Sequence, residues 1–443
     1  MKVFIETLGC PKNSVDSESM AAVLAGEGHT MVSSPEEADV LVVNTCGFIR
    51  DAKEESISSI FDMIREKEAD SSKRIIVTGC LAQRYAEDLF EEMPEVDAFM
   101  GVNDYGSINR VVESICGDTE ERVIAAGQAP DVYFEIPDRI TDPGAVSSYL
   151  RIAEGCDNVC SYCIIPYIRG GYRSRRMEEI LEEAAMLAER GTKELILIAQ
   201  DVTAYGKDLY GRYALHELLP KLCRIDGIHW IRLLYCYEDS ITDELIEVMK
   251  SEEKICKYID IPLQHVNDGI LDNMNRNSTA ASIRDTIRRL REAMPDIHIR
   301  TTFITGFPGE TEDCFDELAD FVEEMRFERM GVFSFSPEEG TPAAEMEGQL
   351  EDEIKDRRKD ILMELQRQIS LECNQSKIGQ TLEVLVEENN EDGTFSGRTR
   401  FDAPEIDDGV IFTAGEEEPA AGEFIQVKIT DAFDYDLVGE AVK

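Results

Sequence analysis

"EGCDNVCSYCIIPYIRG", residues 154–170, carries three cysteines, Cys156, Cys160 and Cys163, at a CxxxCxxC spacing. A closed structural metal site takes four protein ligands, so this stretch is one short. A zinc knuckle completed from elsewhere is one reading. The chain has only five histidines, however, and the next cysteine downstream, Cys223, is sixty residues on. Four thiolates saturate a 4Fe–4S cluster, one per iron; three leave one iron open. An open position is what separates a catalytic metal site from a structural one.

The stretch directly follows "SYLRIAE", the first of six strand-like runs. The others are "ELILIA", "HWIRLLYC", "YIDIPL", "HIRTTFITG" and "MGVFSFS", with amphipathic helical segments such as "MEEILEEAAMLAERG" and "TDELIEVMKS" between them. This alternation predicts a partial (β/α)6 barrel over residues 141–373, with its chemistry at the carboxyl ends of the strands. A long charged helix, about residues 350–374, closes it.

Upstream, three apolar runs each end in a cysteine: "VFIETLGC" at Cys10, "VLVVNTC" at Cys46 and "IIVTGC" at Cys80. The intervals of 36 and 34 residues suit one strand, one crossover helix and one loop of a parallel sheet. Residues 1–140 are therefore expected to form a doubly wound parallel α/β domain, with these thiols beyond the carboxyl ends of its strands, where such sheets bind ligands. From about residue 117 the sequence becomes rich in Gly, Pro and Asp without a sustained period, which reads as a linker, with a domain boundary near 140–147. Beyond the long helix, "QTLEVLVEEN", "TFSGRTRFDA", "GVIFTAG" and "EFIQVKITDAFDYDLVGEAV" predict a small antiparallel β-barrel over residues 374–443.

With 443 residues the chain exceeds the roughly 250–300 at which single cores stop growing, in keeping with three domains. No signal segment or apolar stretch of roughly 18 residues is present, so a cytoplasmic location without membrane contact is expected. Twelve dispersed cysteines without a secretion signal suit reduced, metal-binding thiols better than disulfides. The net charge of −46 repels phosphate backbones and attracts basic polypeptides; an acidic proteome adapted to salt is the plainer explanation, and charge alone does not separate the two. Residues 375–443 hold 17 acidic and 5 basic side chains, a poor composition for generic nucleic-acid binding.

A CxxxCxxC loop after the first strand of a partial barrel resembles the radical S-adenosylmethionine superfamily. The resemblance implies a 4Fe–4S cluster on Cys156, Cys160 and Cys163, whose open iron is chelated by S-adenosylmethionine, the source of a 5′-deoxyadenosyl radical. Tyr162 matches the position beside the adenine. The whole chain, with its three scattered N-terminal cysteines, barrel and C-terminal β module, resembles the methylthiotransferases, in which that last module is TRAM-like. Membership implies a second 4Fe–4S cluster on Cys10, Cys46 and Cys80; spacing alone leaves open whether these are ordinary buried thiols. It also implies a reducing electron donor and transfer of a methylthio group to a substrate carbon.

Within that family "GCPKNSVDSE" (9–18), "NTCGFIRDAKEESI" (44–57) and "TRFDAPEIDDGV" (399–410) resemble the branch that modifies the β-carbon of an aspartate in protein twelve of the small ribosomal subunit. The branch acting on a hypermodified adenosine of tRNA usually has Gln-Met in place of Pro11 and Lys12. The acidic surface suits a basic ribosomal protein, so nucleic acid is not expected as the direct substrate. Paired glycines in "IRGGYRSR" are a minor departure. The rivals are the same chemistry on tRNA and a non-enzymatic iron–sulfur factor that binds the ribosome.

Three further strand ends offer cofactor contacts, each with a plainer reading. Gly306 and Pro308 in "RTTFITGFPGET" either approach S-adenosylmethionine or serve a strand-to-helix turn. Gln200 and Asp201 either bond the cofactor or cap a turn. Gln264 and His265 either face the cavity or fill structural positions. Arg300 begins its strand at the wrong end for the cavity. Cys116, Cys223, Cys236, Cys256, Cys314 and Cys373 lack ligand spacing and are expected to be ordinary thiols, and "GEEEPAAGE" a solvated loop.

Overall fold

The computed structural model describes residues 1–117, 121–129, 138–142, 144–415 and 418–442. Parts of the expected linker (118–120, 130–137 and 143) and of the acidic run (416–417) lie outside the described residues. No helix among the described residues is long and apolar enough to cross a membrane.

The first sheet has six parallel strands, β1 (Lys2–Thr7), β2 (Thr30–Met31), β3 (Val40–Thr45), β4 (Arg74–Gly79), β5 (Ala98–Met100) and β6 (Val123–Ala125), in the order 2-1-3-4-5-6. Helices α1 (Pro11–Gly26), α2 (Arg50–Ala69), α3 (Cys80–Glu92) and α4 (Ile108–Ile115) connect them. Both faces are covered: Leu41, Val43, Ile75 and Val77 pack into one apolar layer and Val40, Val42 and Ile76 into the other. That is why these strands read as continuous apolar runs. β6 lies within the segment read as linker; three residues are too few to show a period.

The second sheet runs β14-β13-β12-β11-β10-β7, all parallel and in chain order: β7 (Ser147–Arg151), β10 (Glu194–Ile198), β11 (Trp230–Leu233), β12 (Ile255–Gln264), β13 (His298–Thr305) and β14 (Arg329–Ser334). These are the six expected strands of the partial barrel. A short antiparallel pair, β8 (Ala153–Glu154) and β9 (Arg173–Ser174), brackets the CxxxCxxC loop and α5 (Ile165–Arg169). Leu195 and Leu197 face the surrounding helices, whereas Ile196 and Ile198 face inward with Trp230 and Tyr258. Val15 of α1 and Leu385 and Ala403 of the last module join that inner cluster, so all three parts of the chain fill the barrel.

The C-terminal barrel closes in the order β15 (Thr381–Asn389), β16 (Phe395–Thr399), β17 (Val410–Thr413), β19 (Leu437–Val442), β18 (Phe424–Ala432). Its expected antiparallel character needs one correction, because β17 and β19 pair in parallel. With five strands around a ring, alternating directions cannot close. The module docks where the core strands begin: Glu194 joins Arg232 at 2.8 Å and also Arg398, Arg329 reaches Asp402 at 2.8 Å, and Tyr258 donates to Asp407 at 2.7 Å.

Candidate active site

The CxxxCxxC loop begins at Gly155, whose φ of +78° places it in the left-handed region. A Cβ there would fall 2.1 Å from the Gly171 carbonyl oxygen, so glycine is required. The Cys156 N–H donates to the Gly170 carbonyl at 3.1 Å. The far side of the loop is moored to the segment after β12: the Ser161 hydroxyl donates to the Asn273 carbonyl at 2.7 Å and the Asn275 amide to the Val159 carbonyl at 2.8 Å. Cys160 Sγ lies 3.0 Å from the Tyr237 hydroxyl. Tyr162 packs edge-on against Phe307, ring centroids 6.5 Å apart. Burial pushes the Cys156 and Cys163 thiols up to about 12.

Three polar side chains, Gln200, Gln264 and Arg276, carry buried atoms that lack a protein partner. Gln200 donates to Glu154 at 2.7 Å, but its buried Oε1 accepts nothing. Gln264, at the end of β12 with φ +70°, likewise has a buried Oε1 without a partner. Arg276 pairs with Glu238 at 2.9 Å and leaves its buried Nε and Nη1 unbonded. Buried polar groups are normally satisfied, so orphans such as these are candidate contacts for a bound molecule.

The remaining expected residues sit differently. Asp201 accepts from Thr203 Oγ1 at 2.6 Å and the Ala204 N–H at 3.1 Å, capping its turn, and from Asn158 of the cysteine loop at 3.0 Å. His265 is wholly enclosed: Nδ1 accepts the Asn267 N–H at 3.0 Å, and Nε2 stands 3.3 Å from Glu310 without hydrogen-bond alignment. The Gly306 N–H donates to both Glu310 oxygens at 3.0 Å, and the space a Cβ would fill there is held by Lys355. Pro308 is buried in the turn that follows. Asp201, His265 and Gly306 thus have the structural partners that their plainer readings require. Arg300 sits in the opening half of β13 and joins Asp260 to Asp407.

Three adjacent strands, β1, β3 and β4, carry Cys10, Cys46 and Cys80 at their carboxyl ends. Cys10 is the residue before α1 and Cys80 the first of α3, so two of these thiols sit at helix N-termini. Glycine lets the loops touch: a Cβ on Gly9 would lie 2.8 Å from Cys46 Cβ, and one on Gly47 would lie 2.8 Å from the Leu81 nitrogen and 2.9 Å from the Cys80 carbonyl carbon. Burial raises Cys46 and pushes Cys80 up to about 12. The two cysteine groups share a wall. Arg169, at the end of α5 and fully buried, contacts Glu154 at 3.1 Å, Asp16 at 3.0 Å, Asn13 at 2.9 Å and Cys80 Sγ at 3.7 Å. Its charge, with that of Arg151, holds the Glu154 carboxyl down to about 2 against the opposing effect of burial.

Among the described residues, no three His, Cys, Asp or Glu side chains converge as they would on a single metal ion. Thiolates that each take a different iron of a cluster need not do so. Arg169, Glu154, Asp16, Tyr237 and Arg276 were not marked by any spacing in the sequence. Arg169 and Glu154 flank the cysteine motif, and that adjacency is the only signal they give.

Three family profiles match the chain: the uncharacterized protein family UPF0004 over residues 2–101, the radical SAM superfamily over 150–322 and the TRAM domain over 378–442. Among solved structures, the radical S-adenosylmethionine methyltransferase TsrM from Kitasatospora setae, with cobalamin and a [4Fe-4S] cluster bound, superposes with a TM-score of 0.58 at 13% identity, covering 89% of this chain and 80% of that one. At that identity the likeness is one of fold. Curated relatives are far nearer. The ribosomal protein uS12 methylthiotransferase RimO of Lachnoclostridium phytofermentans is 50% identical over 442 residues, spanning 100% of both chains. Those of Clostridioides difficile and a Thermoanaerobacter species are 47% and 50% identical, covering 100% and 99% of this chain and 99% of each relative. Identity at this level, unbroken through all three parts of the chain, leads to one conclusion: the chain belongs to the ribosomal protein uS12 methylthiotransferase family of radical S-adenosylmethionine enzymes.

Proposed function

We propose that the chain adds a methylthio group to the β-carbon of an aspartate in ribosomal protein uS12. In this reading it holds two 4Fe–4S clusters, one on Cys156, Cys160 and Cys163 and one on Cys10, Cys46 and Cys80, with S-adenosylmethionine at the first. The observation that carries it is Arg169, which ends the helix after the first trio and reaches Cys80 of the second. Two cysteine groups so linked serve one cavity.

The residues present fit these groups. Each trio consists of thiols only, and Gly9 and Gly47 let the loops that carry the N-terminal trio pack directly against one another. Thiols pushed up to about 12 by burial stay protonated at neutral pH unless a metal replaces the proton. The orphaned oxygens of Gln200 and Gln264 and the free edge of Arg276 suit the amine and carboxylate groups of an amino-acid cofactor. When bound, the clusters and S-adenosylmethionine supply the electron, the radical and the methylthio group.

The chain's own residues place and enclose. Asp201 fixes Asn158, and with it the conformation of the cysteine loop. The Tyr237 hydroxyl lies against Cys160 Sγ. His265 and Glu310 brace the end of β12 against the Gly306 turn. Arg169 offsets the negative charge that thiolates would bring beside Asp16 and Glu154. The strongly acidic surface attracts a basic ribosomal protein and disfavours nucleic acid as the direct substrate. A reducing electron donor is required.

Anaerobic reconstitution tests the cofactor half of the proposal. The chain is expected to take up about eight irons, as two 4Fe–4S clusters, and to release 5′-deoxyadenosine from S-adenosylmethionine under reduction. About four irons, or none of that product, would overturn it.

A further inference from the structure

Lys12, in the first turn of α1, is 7% exposed, two residues from Cys10. Its ammonium lies 3.3 Å from the centroid of the Tyr235 ring. Among the described residues it makes no ion pair and no hydrogen bond, although lysine is almost never buried without a partner. The neighbouring cations are all committed. Arg169 contacts Glu154 and Asp16, Arg151 contacts the same two carboxylates, and Arg300 contacts Asp260 and Asp407. Tyr235 is itself held in an unusual pose: its φ is +59°, and its N–H is anchored to Asp260 at 3.0 Å. A non-glycine residue in the left-handed region marks a site where the surroundings impose a conformation. Here that conformation sets an aromatic face under the ammonium.

We propose that Lys12, seated on Tyr235 beside Cys10, binds the side-chain carboxylate of the substrate aspartate and is a specificity-determining residue of this enzyme. The inference rests on the function proposed above. An aspartate brought beside Cys10 and the buried carboxylates Asp16, Glu154 and Asp260 must have its own charge met, because an unpaired buried carboxylate is strongly disfavoured. Lys12 is the neighbouring cation with that capacity. The carboxyl carbon is bonded directly to the β-carbon, so holding the one fixes the other to within a bond rotation. Orientation of this kind is how a positioning contact contributes to rate. The ring of Tyr235 keeps the ammonium in place before substrate arrives, a cation–π contact that a carboxylate can share.

The test is a double-mutant cycle on binding, with variants compared at equal iron content. The partners are the reconstituted full-length chain, wild-type or Lys12→Met, and recombinant uS12 with its target residue as Asp or Asn. Dissociation constants are measured without reductant. Wild-type enzyme should prefer Asp over Asn by at least roughly tenfold, as buried charge pairs do, and Lys12→Met should be indifferent. Lys12→Arg, which keeps the charge, should restore the preference and guards against a misfolded Met variant. Independent, additive effects of the two substitutions would overturn the inference while leaving the proposed function intact. Wild-type enzyme that neither binds nor modifies uS12 would overturn both.

Discussion

Arg169 Nη2 stands 3.7 Å from Cys80 Sγ, joining residues 89 positions apart and two cysteine groups on different sheets. The same guanidinium satisfies Glu154, Asp16 and Asn13, so it fixes the spacing of the two parts as well as the local charge.

Removing that guanidinium should uncouple the halves. Arg169→Met leaves two buried carboxylates with less compensation, a change that typically costs about 3–5 kcal/mol. Iron content should fall and the thermal midpoint should drop. Arg169→Lys keeps the charge without the fork that spans four partners, and should fall between the two. Metal analysis and calorimetry on the reconstituted variants check this.

Gly47→Ala should act on the N-terminal trio alone. The added methyl meets the backbone of Cys80 and Leu81, which cannot yield as a side chain would. Overpacking of this kind costs roughly 1–3 kcal/mol. The expected result is fewer irons per chain, with cleavage of S-adenosylmethionine retained.

Tyr237→Phe removes the hydroxyl beside Cys160 Sγ. Hydrogen bonds to cluster sulfurs raise the reduction potential. The variant should therefore show a more negative potential in a spectroscopic redox titration, with unchanged iron content.

Acid should loosen the C-terminal barrel through Glu194. Its carboxyl is held down to about 2 by Arg398 and Arg232, which outweigh burial, from an ordinary 4.5. A depressed acid contributes stability that is complete above its unfolded value and lost as pH falls through its folded one. The window is thus pH 4.5 down to 2, and the contribution is on the order of 3 kcal/mol. Trp230 is the chain's single tryptophan and packs edge-on against Phe424 of that barrel at 4.7 Å. Its fluorescence should report a pH-dependent loss of stability in wild type that Glu194→Gln largely lacks.

Much of this architecture could be read in the sequence because burial on two faces leaves long apolar runs, and because each N-terminal cysteine ends such a run. The six strands of the partial barrel were visible for that reason. β6 was not, since "VIA" is too short to carry a pattern, and the parallel closure of β17 on β19 depends on pairings that no local signal encodes. In the site, the cysteines declare themselves by spacing or position, whereas Arg169, Glu154 and Tyr237 acquire meaning only from partners distant in sequence. His265 and Gly306 illustrate the converse. Position at a strand end suggested a cofactor contact, and the partners the structure gives them are Glu310 and Lys355, which no local signal announced.

The most direct test of the account is the mass of uS12 after incubation with the reconstituted enzyme, S-adenosylmethionine and reductant, measured alongside tRNA treated identically. The account predicts that uS12 gains one methylthio group in place of hydrogen on an aspartate and that tRNA is unchanged. Unmodified uS12 in a reaction that still forms 5′-deoxyadenosine, or a methylthio group appearing on tRNA instead, would contradict it.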